Sequence, residues 1–184
     1  GVDIALPIKK MTYQNAMDNY GLDKPDLRFG LEIKDLSALL VDSGFQVFKK
    51  VIEQCGVVRG ICLAGGAKYS RKDTDQLTEW IKTFGVKGLV WMKNTEEGIK
   101  SPILKFLGEE KAKEILTSMN AKAGDIVFIV ADQWGKVCQS LGELRNHLAK
   151  KEGLIASNKF EFVWVIDFPL FEWNEEEKRW TSKH

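Results

Sequence analysis

The sequence predicts an α+β fold, a two-layer sandwich in which a single sheet is covered on one side by helices. Residues of about 45–150 give the order strand, strand, helix, strand, strand, helix, interrupted by one helical insert. Each predicted helix has one apolar face, which suits packing on one layer. The two ends of the chain do not continue this pattern. We expect them to belong to a second sheet, most of which the sequence lacks.

The first predicted elements lie before the core. In "MTYQNAMDNYG" the apolar residues recur at helical spacing, with Thr12 as the N-cap and Gly21 as the stop. The next stretch, "NYGLDKPDLRFGLEI", packs opposite charges around Pro25, which excludes a helix there. A brief strand and a short helix are predicted in "LEIKDLSALLVDSG".

The middle of the chain alternates strands and helices. "FQVFKKVI" and "VVRGICLAG" are rich in β-branched and aromatic residues and are predicted strands. "SRKDTDQLTEWIKTFG" predicts a helix capped by Ser70, with Asp73 three residues later. "GLVWMK" predicts the next strand.

The second half continues with helices and a buried strand. "SPILKFLGEEKAKEILTSMN" predicts one or two short helices, and "GDIVFIVAD" predicts a buried strand. A long helix follows at about residues 133–151, with these side chains facing inward: Trp134, Val137, Cys138, Leu141, Leu144 and Leu148. At the end, "FEFVWVIDFPLFEW" predicts a very apolar strand, and "WNEEEKRWTSKH" predicts a polar turn and a returning strand.

Composition limits the function classes. The net charge is +1, so binding to nucleic acid requires a local patch rather than a global field. No apolar run reaches the roughly 18 residues of a membrane span, and no signal peptide is recognised. The three cysteines, Cys55, Cys62 and Cys138, form no C-x-x-C pair, which indicates reduced thiols in a cytoplasm.

The candidate sites each have a structural interpretation. Gly65-Gly66 before a helix could cradle phosphate, but the spacing matches no phosphate motif, so we interpret it as a turn. Asp125 and Asp132 are interpreted as turn and helix-cap residues, and His147 as a surface or half-buried histidine. The sequence assigns no catalytic side chain and no metal ligand.

One basic cluster stands at the start of the predicted helix after the glycine turn. Lys68, Arg71 and Lys72 place positive charge at a helix N-terminus, which opposes the helix dipole. These side chains suit a phosphate backbone, and they equally suit a solvated face that tolerates the mismatch.

Both ends of the chain resemble one family. "MTYQNAMDNYGLDKPDLRFGLEI" and "FVWVIDFPLFEWNEEEKRW" resemble segments of bacterial-type aspartyl-tRNA synthetases, a class II family. Between these segments the family carries an inserted domain, shared with an archaeal tRNA-dependent amidotransferase subunit. "LAGGAKYSRKDTDQL", "GVKGLVWMK", "SPILKFL" and "GDIVFIVAD" resemble successive elements of that domain.

The resemblance implies a domain plan. The inserted domain of the family is a DCoH-like two-layer fold of β-β-α-β-β-α order, here residues 31–155. Residues 1–30 and 156–184 correspond to pieces of an antiparallel class II catalytic domain, as an exit arm and a return strand with hairpin. We therefore expect the sequence to be a truncated segment of a longer, cytoplasmic, homodimeric enzyme.

The resemblance also implies an activity. The family activates L-aspartate with ATP and Mg²⁺ and transfers it to tRNA. Its three class II motifs lie outside this sequence, so we expect no activity from this chain alone. One binding residue carries over: His184 resembles the first histidine of a His-His-Pro-Phe-Thr block that contacts aspartate, although Lys183 precedes it and no second histidine follows.

Three roles remain open at this stage. The chain is a segment of the ligase without activity of its own, a module that contacts the tRNA acceptor arm through Lys68, Arg71 and Lys72, or a structural spacer. We interpret residues 23–28 as a structural junction near the active site rather than a direct substrate contact. We expect that junction to be poorly anchored in this chain, or to be held by a neighbouring molecule in a crystal or a dimer.

Overall fold

The computed structural model describes residues 4, 6–174 and 177–183. No helix in these ranges is both long and apolar enough to cross a membrane. The strands and helices described there are, in order, β1 (Lys9–Thr12), α1 (Tyr13–Tyr20), β2 (Lys34–Asp35), α2 (Ser37–Leu40), α3 (Gln46–Glu53), β3 (Val57–Leu63), α4 (Arg71–Lys82), β4 (Val90–Thr95), β5 (Gly98–Lys100), α5 (Leu104–Leu107), α6 (Glu109–Ser118), β6 (Ile126–Asp132), α7 (Trp134–Lys151), β7 (Val163–Ile166), β8 (Phe171–Asn174) and β9 (Arg179–Ser182).

The largest sheet has five strands in the order β2-β3-β6-β4-β5, and every neighbouring pair is antiparallel. β3 and β6 form its centre, with Val57 opposite Asp132 at one end and Leu63 opposite Ile126 at the other. This sheet and its helices confirm the predicted α+β class.

Helices cover both faces of this sheet. In β6, Ile126, Phe128 and Val130 belong to the hydrophobic cluster that contains the apolar faces of α4 and α7. Val127 and Ile129 point the other way, into a second cluster with side chains of α2, α3, α5 and α6. The prediction that helices cover only one side is therefore wrong. The central strands are apolar on both faces, so both faces need a cover.

The stretch "FQVFKKVI" is a helix, α3, and not the predicted strand. Its β-branched and aromatic content favours a strand, but Phe48, Val51 and Ile52 also lie at helical i, i+3, i+4 spacing. Phe48 is buried in the second cluster. Because β2 and β6 already occupy both edges of β3, no edge of that strand is open to another one.

The two ends of the chain meet outside this sheet. β1 pairs with β7, with Lys9 opposite Val163, and β8 pairs with β9 in the predicted hairpin. The β8–β9 pair is antiparallel, whereas β1 and β7 are parallel, a pairing that the sequence does not predict. The whole five-stranded domain connects these two strands, and parallel pairs require a long connection.

Local chemistry sets the helix ends as predicted. Thr12 accepts a hydrogen bond from the Asn15 N–H at the start of α1, and Gly21 ends that helix in the left-handed conformation at φ 80°. Ser70 and Asp73 form a reciprocal capping box at the start of α4.

Candidate functional site

A cleft of about 760 Å³ lies where both ends of the chain meet the start of α7. α1 and the loop after it form one wall, the start of α7 forms the second, and residues 167–172 together with Lys183 form the third. The lining residues are Tyr13, Gln14, Met17, Gly21, Leu22, Asp23, Trp134, Gly135, Gln139, Asp167, Pro169, Glu172 and Lys183.

Charged side chains of both signs converge on this cleft. Asp23, Asp167 and Glu172 supply carboxylates, and Lys183 supplies an ammonium group. Lys183 pairs with Glu172 and lies 5.5 Å from the centre of the Tyr13 ring. Burial opposes the lysine charge, but hydrogen bonds to Glu172 and Tyr13 outweigh it and raise the pKa of Lys183. The cleft thus contains charged groups of both signs, and its ammonium group is paired with Glu172.

An ion-pair network fixes α1 against the five-stranded domain. The Arg59 guanidinium lies 2.6 Å from an Asp18 carboxylate oxygen, and the Trp134 indole N–H donates to that oxygen at 2.9 Å. Burial alone would raise the pKa of Asp18, but hydrogen bonds from Trp134, Gln14 and Arg59, together with the Arg59 charge, lower it. Trp134 therefore lines the cleft with its indole held in place.

The loop after α1 lies in close contact with α7. A Cβ atom on Gly142 would come within 2.8 Å of Leu22 Cγ and 2.9 Å of the Gly21 carbonyl carbon. Three residues further along the helix, Arg145 is fully buried and donates to the Leu31 carbonyl at 2.8 Å. The expectation that residues 23–28 are poorly anchored is therefore wrong, because α7 holds both ends of this loop.

Within the loop, Asp26 and Arg28 pair with each other. Nε and a terminal nitrogen of Arg28 donate to the two Asp26 oxygens at 3.0 and 2.7 Å. The hydrogen bond from Arg28 is the largest cause of the lowered pKa of Asp26. These charges close the loop on itself, whereas Asp23 faces the cleft.

The glycine turn is occupied by the protein itself. The Asp125 carboxylate accepts hydrogen bonds from the Gly65 N–H at 2.9 Å and the Lys122 N–H at 2.8 Å. A Cβ on Gly66 would lie 2.2 Å from Ile126 Cγ2, so Gly66 is needed for close packing. The interpretation of Gly65-Gly66 and Asp125 as turn residues is confirmed.

The predicted basic cluster is partly neutralised. Lys68 pairs with Glu152 at 2.7 Å, and Arg71 lies 3.9 Å from Asp75 with its side chain 91% exposed. Arg71 and Lys72 line a shallow depression that also contains carboxylates. The cluster is at the surface as predicted, and its role in tRNA contact stays a prediction.

Three further predictions concern the remaining candidates. His147 is an exposed surface histidine as predicted, with its ring 4.7 Å from that of Trp80. Asp132 does not cap α7, because the N-cap is Gln133 and has no side-chain cap. His184, the predicted aspartate contact, lies outside the described residues, although Lys183 before it lines the cleft.

Sequence patterns predict no special role for Trp134, which lines the cleft, or for Arg59 and Arg145, which hold the elements around it. The signal available for α7 was the width of its apolar stripe, since Trp134 and Cys138 extend it beyond the face that covers the sheet. Gly142 in the middle of a long helix was a second signal, because a helix interior disfavours glycine unless close packing needs it.

Comparison with known proteins gives a consistent set of similarities. The family model of the GAD domain matches residues 48–141. The chain is 48% identical over 184 residues to an aspartate–tRNA(Asp/Asn) ligase of Thermoanaerobacter sp. (strain X514) and 49% identical over 185 residues to an aspartate–tRNA ligase of Clostridium perfringens (strain SM101 / Type A). Each alignment covers 100% of this chain and 31% of the relative. The chain therefore spans about a third of the length of these curated relatives.

Proposed function

Because this chain belongs to the GAD domain family, we propose that it serves within an aspartate–tRNA ligase, as the GAD domain together with one wall of the amino-acid site. Such a ligase activates L-aspartate with ATP and transfers it to tRNA. The observation that carries this proposal is the similarity to aspartate–tRNA ligases along the whole chain, at 48–50% identity.

The chemistry of the cleft supports the assignment of the amino-acid site. L-Aspartate carries one ammonium and two carboxylate groups, and the lining of the cleft includes Asp23, Asp167 and Lys183, the last of which pairs with Glu172. A carboxylate suits the substrate ammonium, and an ammonium suits a substrate carboxylate. We propose Asp23 as the contact of the ammonium and His184 as a further contact of the substrate.

ATP and Mg²⁺ are proposed to bind elsewhere in the ligase. Among the described residues, no group of three or more His, Cys, Asp or Glu side chains is arranged to hold a metal ion. We assign no step to Mg²⁺ here. Because the three class II motifs of the family are expected outside this chain, we expect the chain alone to form no aspartyl-adenylate.

A finer fold assignment is part of this proposal. We propose that β2, β3, α4, β4, β6 and α7 form the DCoH-like β-β-α-β-β-α core of residues 31–155, and that α2, α3, α5 and α6 are additions on its second face. Residues 1–30 and 156–184 then belong to the catalytic domain. The pairing of β1 with β7, outside the five-stranded sheet, supports these boundaries. The ligase is proposed to be a cytoplasmic homodimer.

An exposed apolar surface on the last strands also supports membership in a larger protein. Large apolar side chains are exposed there: Phe160, Phe162, Trp164, Ile166, Leu170, Phe171, Trp173 and Trp180. Exposed apolar patches of this extent mark interaction surfaces. We propose that the remaining two-thirds of the ligase cover the exposed apolar surface of this chain.

A chimaeric ligase tests the proposed function. This chain replaces the matching stretch of the Thermoanaerobacter ligase, and aspartate-dependent ATP–pyrophosphate exchange and tRNA charging are measured. We expect both activities in the chimaera, none in the 184-residue chain alone, and a raised KM for aspartate in the chimaera with Asp23→Asn. A folded chimaera without either activity, or adenylate formation by the chain alone, would refute the proposal.

A second role, contact with the tRNA acceptor arm, is favoured by the exposed Arg71 and Lys72 at the start of α4. Because Glu152 already neutralises Lys68, we expect Arg71 and Lys72 to dominate. Titration with tRNA at low salt would compare Arg71→Glu/Lys72→Glu and Lys68→Glu/Arg71→Glu with the control Lys87→Glu, which lies outside this cluster. Equal tRNA binding by all variants would rule out a role of this cluster in tRNA contact and would favour the spacer role.

A further inference from the structure

The side chain of Arg145 is the largest of the fully buried side chains in the described part of the chain. Its guanidinium carbon lies 4.9 Å from the centre of the Tyr20 ring and 4.7 Å from that of the Phe29 ring. Burial lowers the pKa of Arg145 to about 10, so the group is still charged at neutral pH. A buried charge needs compensation, and here the two ring faces supply part of it.

Backbone carbonyl groups supply a further part of the compensation, while the Nη1 nitrogen of Arg145 is buried without a hydrogen-bond partner among the described residues. Nε donates to the Leu31 carbonyl at 2.8 Å, and one terminal nitrogen donates to the Gly30 and Asp26 carbonyls at 3.0 and 3.3 Å. The ion pairs found among the described residues include none for Arg145. This arginine therefore binds a segment of backbone rather than a carboxylate. A lysine, with a single nitrogen on a flexible stem, cannot reproduce this planar fork.

The segment held in this way is the loop that reaches the cleft. Its first residues, Gly21, Leu22 and Asp23, line the cleft, and its last part accepts the hydrogen bonds of Arg145. Leu31 has a left-handed backbone at φ 63°, a conformation that a leucine keeps only where its surroundings fix it. Gly142, one turn before Arg145, meets the start of the same loop.

One helix therefore has two separate faces. Val137, Leu141 and Leu144 of α7 pack into the cluster over the five-stranded sheet. Gly142 and Arg145 contact the loop instead. A movement of α7 with its domain would thus be transmitted to the loop, because both contacts are made by the same rigid element.

We propose that Arg145 is a positioning residue, which fixes the loop of residues 21–31 on α7 and so sets the place of Asp23 in the cleft. In this view the five-stranded domain is no passive spacer, since its long helix α7 holds one wall of the proposed amino-acid site. The position of the loop does not depend on the proposed function, whereas the consequence for aspartate binding rests on it.

Amide hydrogen exchange of the 184-residue chain tests the positioning of the loop. Two amides are suitable reporters: within the loop, Arg28 N–H bonds to the Asp26 carboxylate, and just after the loop, Ile33 N–H bonds to the Asn19 carbonyl. In Arg145→Lys we expect these amides to exchange at least about tenfold faster, while those of β6 stay unchanged. The control is Arg179→Lys, an arginine whose side chain is 68% exposed.

Two results would overturn the proposed positioning. Unchanged loop exchange in Arg145→Lys is one, and equal acceleration of loop and β6 amides is the other, because it shows only a general loss of stability. Phe29→Leu provides a second variant, since it keeps an apolar side chain but removes one ring face. Phe29→Leu should also accelerate exchange of the loop amides, but less than Arg145→Lys does. Unchanged exchange of these amides in Phe29→Leu would contradict the role of the ring.

The chimaeric ligase tests the consequence for the substrate. We expect Arg145→Lys to raise the KM for aspartate at least about fivefold in pyrophosphate exchange, with kcat changed less, and Arg179→Lys to change neither. Asp23→Asn should raise the KM for aspartate by a smaller factor in the Arg145→Lys chimaera than in the otherwise unchanged chimaera, because the two substitutions act on the same contact. Additive effects, or an unchanged KM, would overturn the link to Asp23. A wild-type chimaera without activity would instead refute the proposed function, and the exchange result would stand.

Discussion

Two glycines of the same helix should respond to alanine in opposite ways. Gly142 faces the loop after α1, and a Cβ there would lie 2.8 Å from Leu22 Cγ, 2.9 Å from the Gly21 carbonyl carbon and 3.0 Å from the Tyr20 carbonyl oxygen. Gly135 has no atom within 4 Å of its built Cβ. Alanine is favoured over glycine within helices by about 1 kcal/mol, and this gain enters both variants.

The clash separates the two variants. Ordinary Cβ contacts begin at 3.4 Å, and two of the three atoms near Gly142 are backbone, so the loop must move by roughly half an ångström. Overpacking of this kind costs about 1–3 kcal/mol. We therefore expect Gly135→Ala to raise the free energy of unfolding by up to about 1 kcal/mol. The free energy of unfolding of Gly142→Ala should be about 1–3 kcal/mol lower than that of Gly135→Ala.

Urea unfolding followed by circular dichroism measures this difference, and exchange of the Arg28 amide locates it. We expect faster exchange at Arg28 in Gly142→Ala only. Equal unfolding free energies for the two variants, within the error of the extrapolation, would refute the argument that the close approach of α7 and the loop leaves no room for a side chain.

Three further predictions follow from local contacts. Because the folded-state pKa of Asp18 is lowered, its contribution to stability is present at neutral pH and is lost as the pH falls below about 4. In Asp18→Asn the melting temperature should therefore fall less steeply with decreasing pH. A fall as steep as that of the unchanged protein would contradict this. Ser70→Ala should lower the unfolding free energy by about 1 kcal/mol in urea titrations, because it removes the cap of α4, and no loss would show that the cap contributes little. In thiol labelling of the native protein at pH 8, the exposed Cys55 should react first, and Cys62 and Cys138 should react about a hundredfold more slowly or slower still. The reason is that burial raises the pKa of Cys62 to about 11 and that of Cys138 to about 12. Fast labelling of Cys138 would contradict its burial.

Elements with a strong period and a clear cap were predictable from the sequence. Ser70 and Asp73 marked the start of α4, and Thr12 and Gly21 marked the two ends of α1. The α3 helix is not predictable in this way, because its eight residues, with mixed β-branched and aromatic content, fit both the helix and the strand period. Tertiary context decides such a segment, since the neighbours of β3 leave no edge for another strand.

The candidate site was less predictable than the fold. Arg145 lies among polar residues on a helix, and no spacing rule distinguishes a buried arginine from an exposed one. Its partners are carbonyl groups more than a hundred residues earlier in the chain, which leave no mark in the sequence. The sequence marks Asp23 only as one of several charges in a junction, whereas the structure separates it from the Asp26–Arg28 pair and places it in the lining of the cleft.

The pairing of β1 with β7 has a consequence for how the chain is made. Lys9 pairs with Val163, which is synthesised later. At ordinary rates of synthesis, roughly 8–30 s pass between the two residues. During that time the five-stranded domain can fold first and bring its own two ends together, while β1 stays without its partner. Lys9 and Lys10 are both exposed on β1, and charged side chains on an unpaired strand discourage pairing with other chains. Replacing both lysines by valine should therefore increase aggregation during synthesis far more than it changes the stability of the finished protein.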